Sequence, residues 1–443
     1  MTATAPAAQG RAGVLRHNRD YRLLWAGQAL SGFGSSMSAV ALPLALLAAG
    51  YPTTSVALVG SVLAAAGLLV RIPAGLASDR FDQRGLLIGA DLVRLAVVVT
   101  LTLCVLARPL PLWLALIAVV VSVSASEVFK PSQYQLIRQV VRPEQIPAAV
   151  SLNQARAYAA EMAGPATAGL LIGVSVALPF AVDAVTFLAS AVCIAATSRT
   201  VRAAPGRTPR AKGAVRWGPP PGFWQELTVG LRHLARDRFL RRSTVIFSGL
   251  TVAFTMFGSA LLLGVGREPG GARAVGWALS TAALAGLLGS LAAPRLQRTL
   301  PLPVLVATGP AVAAVLLVTA WASGSTLAFV AAFSAMCLLV PAINAAVVSV
   351  MATTIPAEIY GRVTTANDFV VQLLQPCAPL AAGTLLVAFS LPVTGLVLGA
   401  GFAALALLAL ALPTPERART ADPSGTADPS DTADPAEQAR SEP

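Results

Sequence analysis

Few ionisable side chains fall within the apolar stretches of this sequence, and those few are the residues that could do chemistry there. Glu161 and Arg156 lie five positions apart in one such stretch, and Asp91 and Arg94 lie three apart in another. Glu127, Asp183 and Asp368 complete the set. Even on insertion scales a charge at the centre of a bilayer costs at least about 2.5–3.5 kcal/mol, so each is a functional candidate unless a partner neutralises it. A carboxylate that alternates between water and a drier contact with an arginine changes its proton affinity between the two settings. Glu161, with Arg156 nearby, is therefore a candidate proton or substrate site. Its structural alternative is a satisfied interhelical hydrogen bond or ion pair. Asp91 and Arg94, one helical turn apart, are spaced to pair locally. Glu127 can pair with Lys130 or a loop arginine, Asp183 suits a structural role, and Asp368 can serve as an N-terminal helix charge. Gln28, Asn344, Gln372 and Gln375 can supply hydrogen bonds to a cavity or bridge helices.

Enzyme chemistry has little to build on. The two histidines, His17 and His233, lie in segments expected to be cytoplasmic, far from any buried His/Asp or Cys/His centre, and no GxxxxGK[ST] loop occurs. The four cysteines (Cys104, Cys193, Cys337, Cys377) lie in apolar segments without a CxxC pair, so neither a disulfide framework nor a metal site is indicated. They read as buried small apolar residues. No enzyme, cofactor or metal is expected.

The elements that must position these residues follow from composition. The 443 residues are 56% hydrophobic and only 12% charged, about half the charged fraction of a soluble protein. Nearly uncharged segments of 18 or more residues recur, each long enough to cross a hydrocarbon core of about 30 Å. In lipid, backbone polar groups must pair internally, so these segments are helices, and the alternation of an outer-membrane barrel is missing. About twelve spans are expected: 23–48, 54–77, 86–107, 111–133, 149–175, 178–199, 242–265, 273–293, 301–321, 325–350, 363–386 and 390–412. The fold class is an all-α membrane protein with two six-helix bundles. The expected domains are a cytoplasmic segment 1–22, a first bundle 23–199, a basic loop 200–241, a second bundle 242–412 and a disordered tail 413–443.

The net charge of +12 would suggest nucleic acid in a soluble protein. Here 27 of the 32 basic residues fall in segments that a cytoplasmic N-terminus would place inside, and three (Arg108, Arg267, Arg273) fall outside. That asymmetry orients both termini toward the cytoplasm of a bacterial inner membrane and removes the need for a nucleic-acid partner. The first 20 residues lack a cleavable signal pattern, so the first apolar stretch is expected to remain as span one. In the central loop Phe223, Trp224, Leu227, Leu231 and Leu234 share one helical face, which reads as an amphipathic helix on the inner leaflet or as a solvated linker. The tail repeats TADPSG, TADPSD and TADPAE and lacks large apolar residues.

The halves echo each other at an offset of 214 residues. GPATAGLL (164–171) lies over APLAAGTL (378–385), matching Pro165 with Pro379, Gly169 with Gly383 and Asn153 with Asn367. Gly164, Pro165 and Gly169 are candidate helix-packing positions. A parallel repeat of two six-span halves is a transporter arrangement.

Between spans two and three stands Gly75-Leu76-Ala77-Ser78-Asp79-Arg80-Phe81-Asp82-Gln83-Arg84. Gly75 can admit a close helix, and Asp79 can cap a helix or pair with an arginine. Such a cluster could latch the cytoplasmic ends of the two halves; the plainer reading is a set of positive-inside anchors. This stretch resembles the loop signature of the major facilitator superfamily. Asn18-Arg19-Asp20-Tyr21-Arg22-Leu23-Leu24-Trp25, Asp91-Leu92-Val93-Arg94, Leu178-Pro179-Phe180-Ala181-Val182-Asp183 and Ile359-Tyr360-Gly361-Arg362-Val363 are similar to its branch of enterobactin and macrolide exporters. The resemblance implies alternating access and export, usually driven by protons. It also implies a latch of Gly75, Asp79, Arg80, Arg84, Gly361 and Arg362. Two departures stand out. Ala159, Ala160 and Ala168 replace expected glycines in span five, and span four lacks the antiporter arginine. Proton coupling by that route is not implied.

The sequence thus points to a monomeric secondary transporter in the lipid bilayer, exporting a small amphipathic compound by alternating access with protons as co-partner. The alternatives are an importer, or a membrane receptor or scaffold on the same fold. The topology is testable in a background without native cysteines. Cysteines at Ser175 and Ser390 should react with an impermeant maleimide from outside, and one at Thr208 only after permeabilisation. External labelling at Thr208 would overturn the six-plus-six layout.

Overall fold

The computed structural model describes residues 18–107, 110–142, 145–198, 223–268, 270–355 and 357–411. Among these the chain forms helices α1 (Arg19–Ala48), α2 (Thr53–Arg80), α3 (Gln83–Ala107), α4 (Leu112–Val140), α5 (Ile146–Ile172), α6 (Leu178–Ala195) and α7 (Phe223–Arg236). They continue as α8 (Arg238–Gly266), α9 (Gly271–Thr299), α10 (Leu302–Ser323), α11 (Thr326–Thr354), α12 (Ala357–Leu373), α13 (Cys377–Ala388) and α14 (Leu391–Leu410). Among the described residues, eleven stretches are long and apolar enough to cross a membrane, with α12 and α13 together making one of them. The helix α5 falls outside that group, its apolar run being interrupted by Arg156 and Glu161. The tail and most of the central loop lie outside the described residues.

Helix ends are set by caps rather than by hydropathy. The Asn18 side chain accepts from the Tyr21 amide at 2.9 Å and starts α1. Asp237 accepts from the Leu240 amide at 2.7 Å and starts α8. Gly324, at φ 61°, adopts the left-handed conformation that ends α10. Several helices therefore outrun their apolar cores: α4 continues to Val140 and α9 to Thr299. The eleventh span is broken at Leu374–Pro376, where it divides into α12 and α13.

Within the first half, α1 packs on α5 and α6, α3 on α4 and α6, and α2 on α4. Within the second, α10 packs on α14 and α11, α9 on α11, and α8 on α13 and α14. Phe257 anchors that half, its ring 5.0 Å from Phe329, 5.2 Å from Phe333 and 5.9 Å from Phe402. The halves meet chiefly where α5 packs on α9 and α2 on α13.

Both seams are made by residues of the sequence repeat. A Cβ on Gly169 would stand 2.7 Å from the Ala272 carbonyl oxygen and 3.2 Å from Gly276 Cα. A Cβ on Gly276 would stand 2.7 Å from the Pro165 carbonyl oxygen. Across the pseudo-related seam, a Cβ on Gly383 would meet Ala57 Cβ at 2.5 Å, and one on Gly60 would meet Pro379 at 3.2 Å. Ser61 Oγ accepts from the Leu380 amide there at 3.2 Å. These contacts cluster at one end of the molecule, where α5, α13 and α8 finish and α2 and α9 begin. Gly164 does a different job: it lets α1 approach α5 within the first half, against Ser36.

The helix α7 departs from expectation. Its Leu231 and Leu234 pack with Leu240, Val363 and Ala366, so that part of its apolar face covers α8 and α12 rather than the lipid surface. A Cβ on Gly230 would lie 2.4 Å from the Arg362 carbonyl oxygen, which fixes how closely α7 sits.

The seam yields a prediction. Gly169→Val should leave each half folded but hold α5 off α9. A cysteine at Ala272, in a background without native cysteines, should then react with a thiol reagent several-fold faster. Unchanged reactivity would show that the seam tolerates a side chain.

Candidate functional site

Between the halves lies a cavity of about 380 Å³. It is lined from α1 (Ser36, Ala39, Val40), α5 (Tyr158, Glu161, Pro165), α8 (Phe254), α9 (Leu279, Ala282, Ala283, Gly286) and α11 (Phe333, Cys337, Val340, Pro341, Asn344). Both halves contribute, and Glu161 is the one ionisable carboxylate in the wall among the described residues. Phe254 and Phe333 stack on one side, centroids 5.3 Å apart and planes at 14°. The volume is in the range of small-molecule pockets, which are mostly apolar with a few polar groups that fix orientation. A second cavity of about 680 Å³ lies over the end where the halves meet, beside Arg267, Glu268 and Arg273. It is lined by helix ends and turns and does not include the intramembrane charges.

Glu161 takes part in none of the ion pairs among the described residues, which are Arg71–Glu127, Arg94–Asp91 and Lys130–Glu127. The expected contact with Arg156 is not formed in this conformation. Five residues on a helix turn the two side chains to different faces. Arg156 instead donates from Nη1 to the Gln28 carbonyl oxygen on α1. A Cβ on Gly32 would stand 3.2 Å from that nitrogen, so the glycine makes room for the guanidinium. Gln28 is buried and turned from the cavity, its Oε1 accepting from Gln133 Nε2 at 2.5 Å. Asn344 lines the cavity.

The other intramembrane charges of the first half are satisfied within it. Asp91 is fully buried, takes Arg94 Nη2 at 2.5 Å and Ser190 Oγ at 2.7 Å, and so ties α3 to α6. The Arg94 guanidinium lies between the Phe129 and Phe187 rings, 4.5 and 4.7 Å from their centroids. This pair does not reach the cavity, which corrects its place among the candidate proton sites. Glu127 bonds Lys130 at 2.7 Å and Arg71 at 3.4 Å, fastening α4 to α2. Asp183 accepts from Ser38 Oγ at 2.5 Å, fastening α6 to α1. Asp368 is exposed on α12, outside the cavity wall, with Asn367 and the Arg71 guanidinium as polar neighbours. Arg71 belongs to α2, so that electrostatic contact crosses between the halves. Of the cysteines, Cys337 lines the cavity and Cys377 is exposed, so neither fits the expectation of a buried apolar filler.

The described part of the signature between α2 and α3 joins helix ends of the first half. The side chains of Asp79 and Arg80 lie outside the described residues. Asp82 is the residue that caps α3, its Oδ2 accepting from the Gly85 amide at 2.7 Å. Arg84 donates to the carbonyl oxygens of Ile194, at 3.2 Å, and Ala195, so it closes the end of α6 within its own half. Gln83 donates to Ser78 and Gln135, and Gln139 donates to Gln83, joining the ends of α2, α3 and α4. A Cβ on Gly75 or on Gly361 would meet nothing within 4 Å, so neither glycine is held by a neighbouring helix in this conformation. Arg362 is exposed.

The motif at the start of α1 proves to be an anchor. Asn18 Nδ2 donates to the Val140 carbonyl at 2.9 Å, Tyr21 OH to that of Ala149 at 3.0 Å, and Trp25 Nε1 to that of Leu152 at 3.3 Å. Asp20 accepts from Ser198. Tyr158, Ser36, Phe254 and Phe333 are cavity residues that sequence reading missed. The signals were Tyr158 three residues before Glu161 and aromatic pairs at helical spacing, Phe254 with Phe257 and Phe329 with Phe333.

Two bundles packed across a central cavity, with a carboxylate in its wall, define a multi-pass membrane carrier. Residues 24–268, more than half of the chain, match the Major Facilitator Superfamily, and the chain belongs to it. No curated protein matches the chain. Among solved structures, a POT family transporter in complex with a thioalcohol-conjugated peptide is similar at 13% identity. That likeness covers 91% of this chain and 98% of the other, with a TM-score of 0.66. A POT family transporter in complex with 5-aminolevulinic acid is similar at 13% identity, over 93% and 99% of the two chains, with a TM-score of 0.67. A variant of a peptide transporter in complex with alafosfalin is similar at 15% identity, over 94% and 99%, with a TM-score of 0.65. At these identities the likeness is one of fold.

The division of charges can be tested by stability. Asp91→Asn removes one partner of a buried pair and should cost about 3–5 kcal/mol, read as a lower unfolding midpoint in detergent. Glu161→Gln, which breaks no such pair, should move the midpoint little. Equal effects would place both carboxylates in the same structural class.

Proposed function

We propose that the chain is a secondary active exporter of a small amphipathic compound, coupled to protons through Glu161. The observation that carries this is a carboxylate without an ion-pair partner among the described residues, facing a cavity to which both halves contribute. The aromatic and aliphatic wall suits an apolar body. Export is favoured by the motifs shared with the enterobactin and macrolide exporter branch. With both termini in the cytoplasm of the inner membrane, the seams α5–α9 and α2–α13 lie at the outer face and the conformation described is inward-facing. The latch of Gly75, Asp79, Arg80, Gly361 and Arg362 would then engage in the opposite, outward-facing state, which accounts for the open space at both glycines. Glu161 changes its surroundings as the halves exchange seams, and that change can bias its proton occupancy on each side.

Import is the second reading, favoured by the overall fold shared with transporters captured in complex with a peptide conjugate and 5-aminolevulinic acid. Inverted and right-side-out vesicles separate the two, since an exporter accumulates substrate only in the inverted ones.

Two substitutions test the proposal. Glu161→Gln should abolish flux driven by a pH gradient while leaving gradient-independent exchange, and Glu127→Gln should be milder. Normal proton-driven accumulation by Glu161→Gln would make the residue structural. Asp79→Asn should leave the protein in the membrane yet reduce transport at least tenfold; wild-type flux would reduce the motif to an orientation signal.

A further inference from the structure

Eight buried side-chain polar atoms have no hydrogen-bond partner in the protein among the described residues, and four of them gather at one place. They are Gln28 Nε2, Nδ2 and Oδ1 of Asn153, and Arg156 Nε. These three residues sit at neighbouring levels of α1 and α5. Arg156 Nη1 donates to the Gln28 carbonyl oxygen, and Asn153 lies one turn earlier on the same face of α5. The helices α1 and α5 run in parallel register here. Tyr21 bonds Ala149, Trp25 bonds Leu152 and Arg156 bonds Gln28, which brackets Asn153 between the Trp25 and Gln28 levels of α1. Gln28 is 1% exposed and Asn153 5%, so water at the surface does not serve these atoms.

The sequence repeat supplies an internal control. Asn367 corresponds to Asn153 at the 214-residue offset, and its Oδ1 accepts from Thr244 Oγ1 at 2.8 Å. The second half satisfies its asparagine from the protein, and the first half leaves its own open.

Charge points the same way. Arg94 has Asp91 within 2.5 Å. Arg156 belongs to no ion pair among the described residues, and the groups that act on it electrostatically are the phenols of Tyr21 and Tyr134. A half-buried guanidinium without a carboxylate, beside two amide groups with unused hydrogens, is a receptor for an oxyanion. Arginine presents a planar fork that matches a carboxylate in two parallel hydrogen bonds. One positive charge and two neutral donors suit a single negative charge better than a phosphate dianion.

We propose that Arg156, Gln28 and Asn153 anchor the carboxylate of an amphipathic organic acid. Arg156 stands about 7.5 Å along α5 from Glu161 at 1.5 Å per residue and on another face, so this anchor is separate from the cavity wall. This rests on the transporter reading for how the ligand arrives; binding itself does not depend on it.

The test uses the purified full-length protein in detergent and measures ligand-induced shifts of the unfolding midpoint. The probes are octanoate, decanoate and 2-naphthoate, each beside its primary amide, with chloride and phosphate at matched ionic strength. At least one carboxylate should stabilise the wild type saturably while its amide does not. Arg156→Gln should weaken that carboxylate at least tenfold, and Asn153→Leu several-fold. Should Arg156→Gln fail to fold, Asn153→Leu decides, because it removes only atoms that hold nothing else in place. The proposal is overturned if no carboxylate binds, if the amide binds equally, if the folded variants bind like the wild type, or if chloride or phosphate reproduces the shift. Absent carboxylate binding together with lost proton-driven flux in Glu161→Gln would sink this inference and leave the transporter reading standing. Carboxylate binding with normal flux in that variant would leave this inference standing and sink the assignment of proton coupling to Glu161.

Discussion

Two helices can bring their backbones together only where neither carries a side chain in the way. The halves of this protein meet under that constraint. Gly169 on α5 faces Gly276 on α9, and Gly383 on α13 faces Ala57 on α2. The close approach closes one end of the molecule around the cavity at Glu161, whose wall is drawn from five helices of both halves. Because lipid is as apolar as the side chains it would replace, such contacts rest on close van der Waals packing rather than on hydrophobic burial. Contacts of that kind can part and re-form at another place, as alternating access requires.

For the halves to move against each other, each must be firm inside, and the polar side chains of the first half supply that firmness. Asp91–Arg94–Ser190, Glu127 with Arg71 and Lys130, and Asp183–Ser38 join neighbouring helices of one half. Asn18, Tyr21, Trp25 and Arg84 add bonds to backbone carbonyls at the helix ends. Once these groups are accounted for, Glu161 and Arg156 are what remains within the membrane-spanning part of that half. The two side chains share α5 but face different surroundings, one a cavity and the other α1.

Much of the fold was legible in the sequence because the bilayer imposes one rule on every span. Length and apolarity located most of the spans, and the 214-residue echo matched Pro165 and Gly169 with Pro379 and Gly383, which the structure places in the two seams. Hydropathy could not read helix ends, which Asn18, Asp82 and Asp237 set by local bonds. It also could not say which face a charge takes. Spacing alone suited Glu161 to Arg156, but five residues turn them apart, and Gly32 gives the guanidinium its place against α1. The apolar face of α7 fitted a lipid surface as well as a protein one, and only the position of α12 decides between them. Tyr158, Phe254 and Phe333 escaped notice because an aromatic residue in an apolar span looks the same whether it fills a core or lines a cavity.

Alternating access requires motion of two firm halves about a central cavity. Electron–electron spin distances measure it directly in proteoliposomes, with one label pair at Ser175 and Glu268 beside the closed seam and another at Arg142 and Thr299 at the opposite end. Varying pH should shift the two distance distributions in opposite directions, one pair separating as the other closes, and Glu161→Gln should remove that response. Distances that stay fixed, or that lengthen and shorten together, would contradict it.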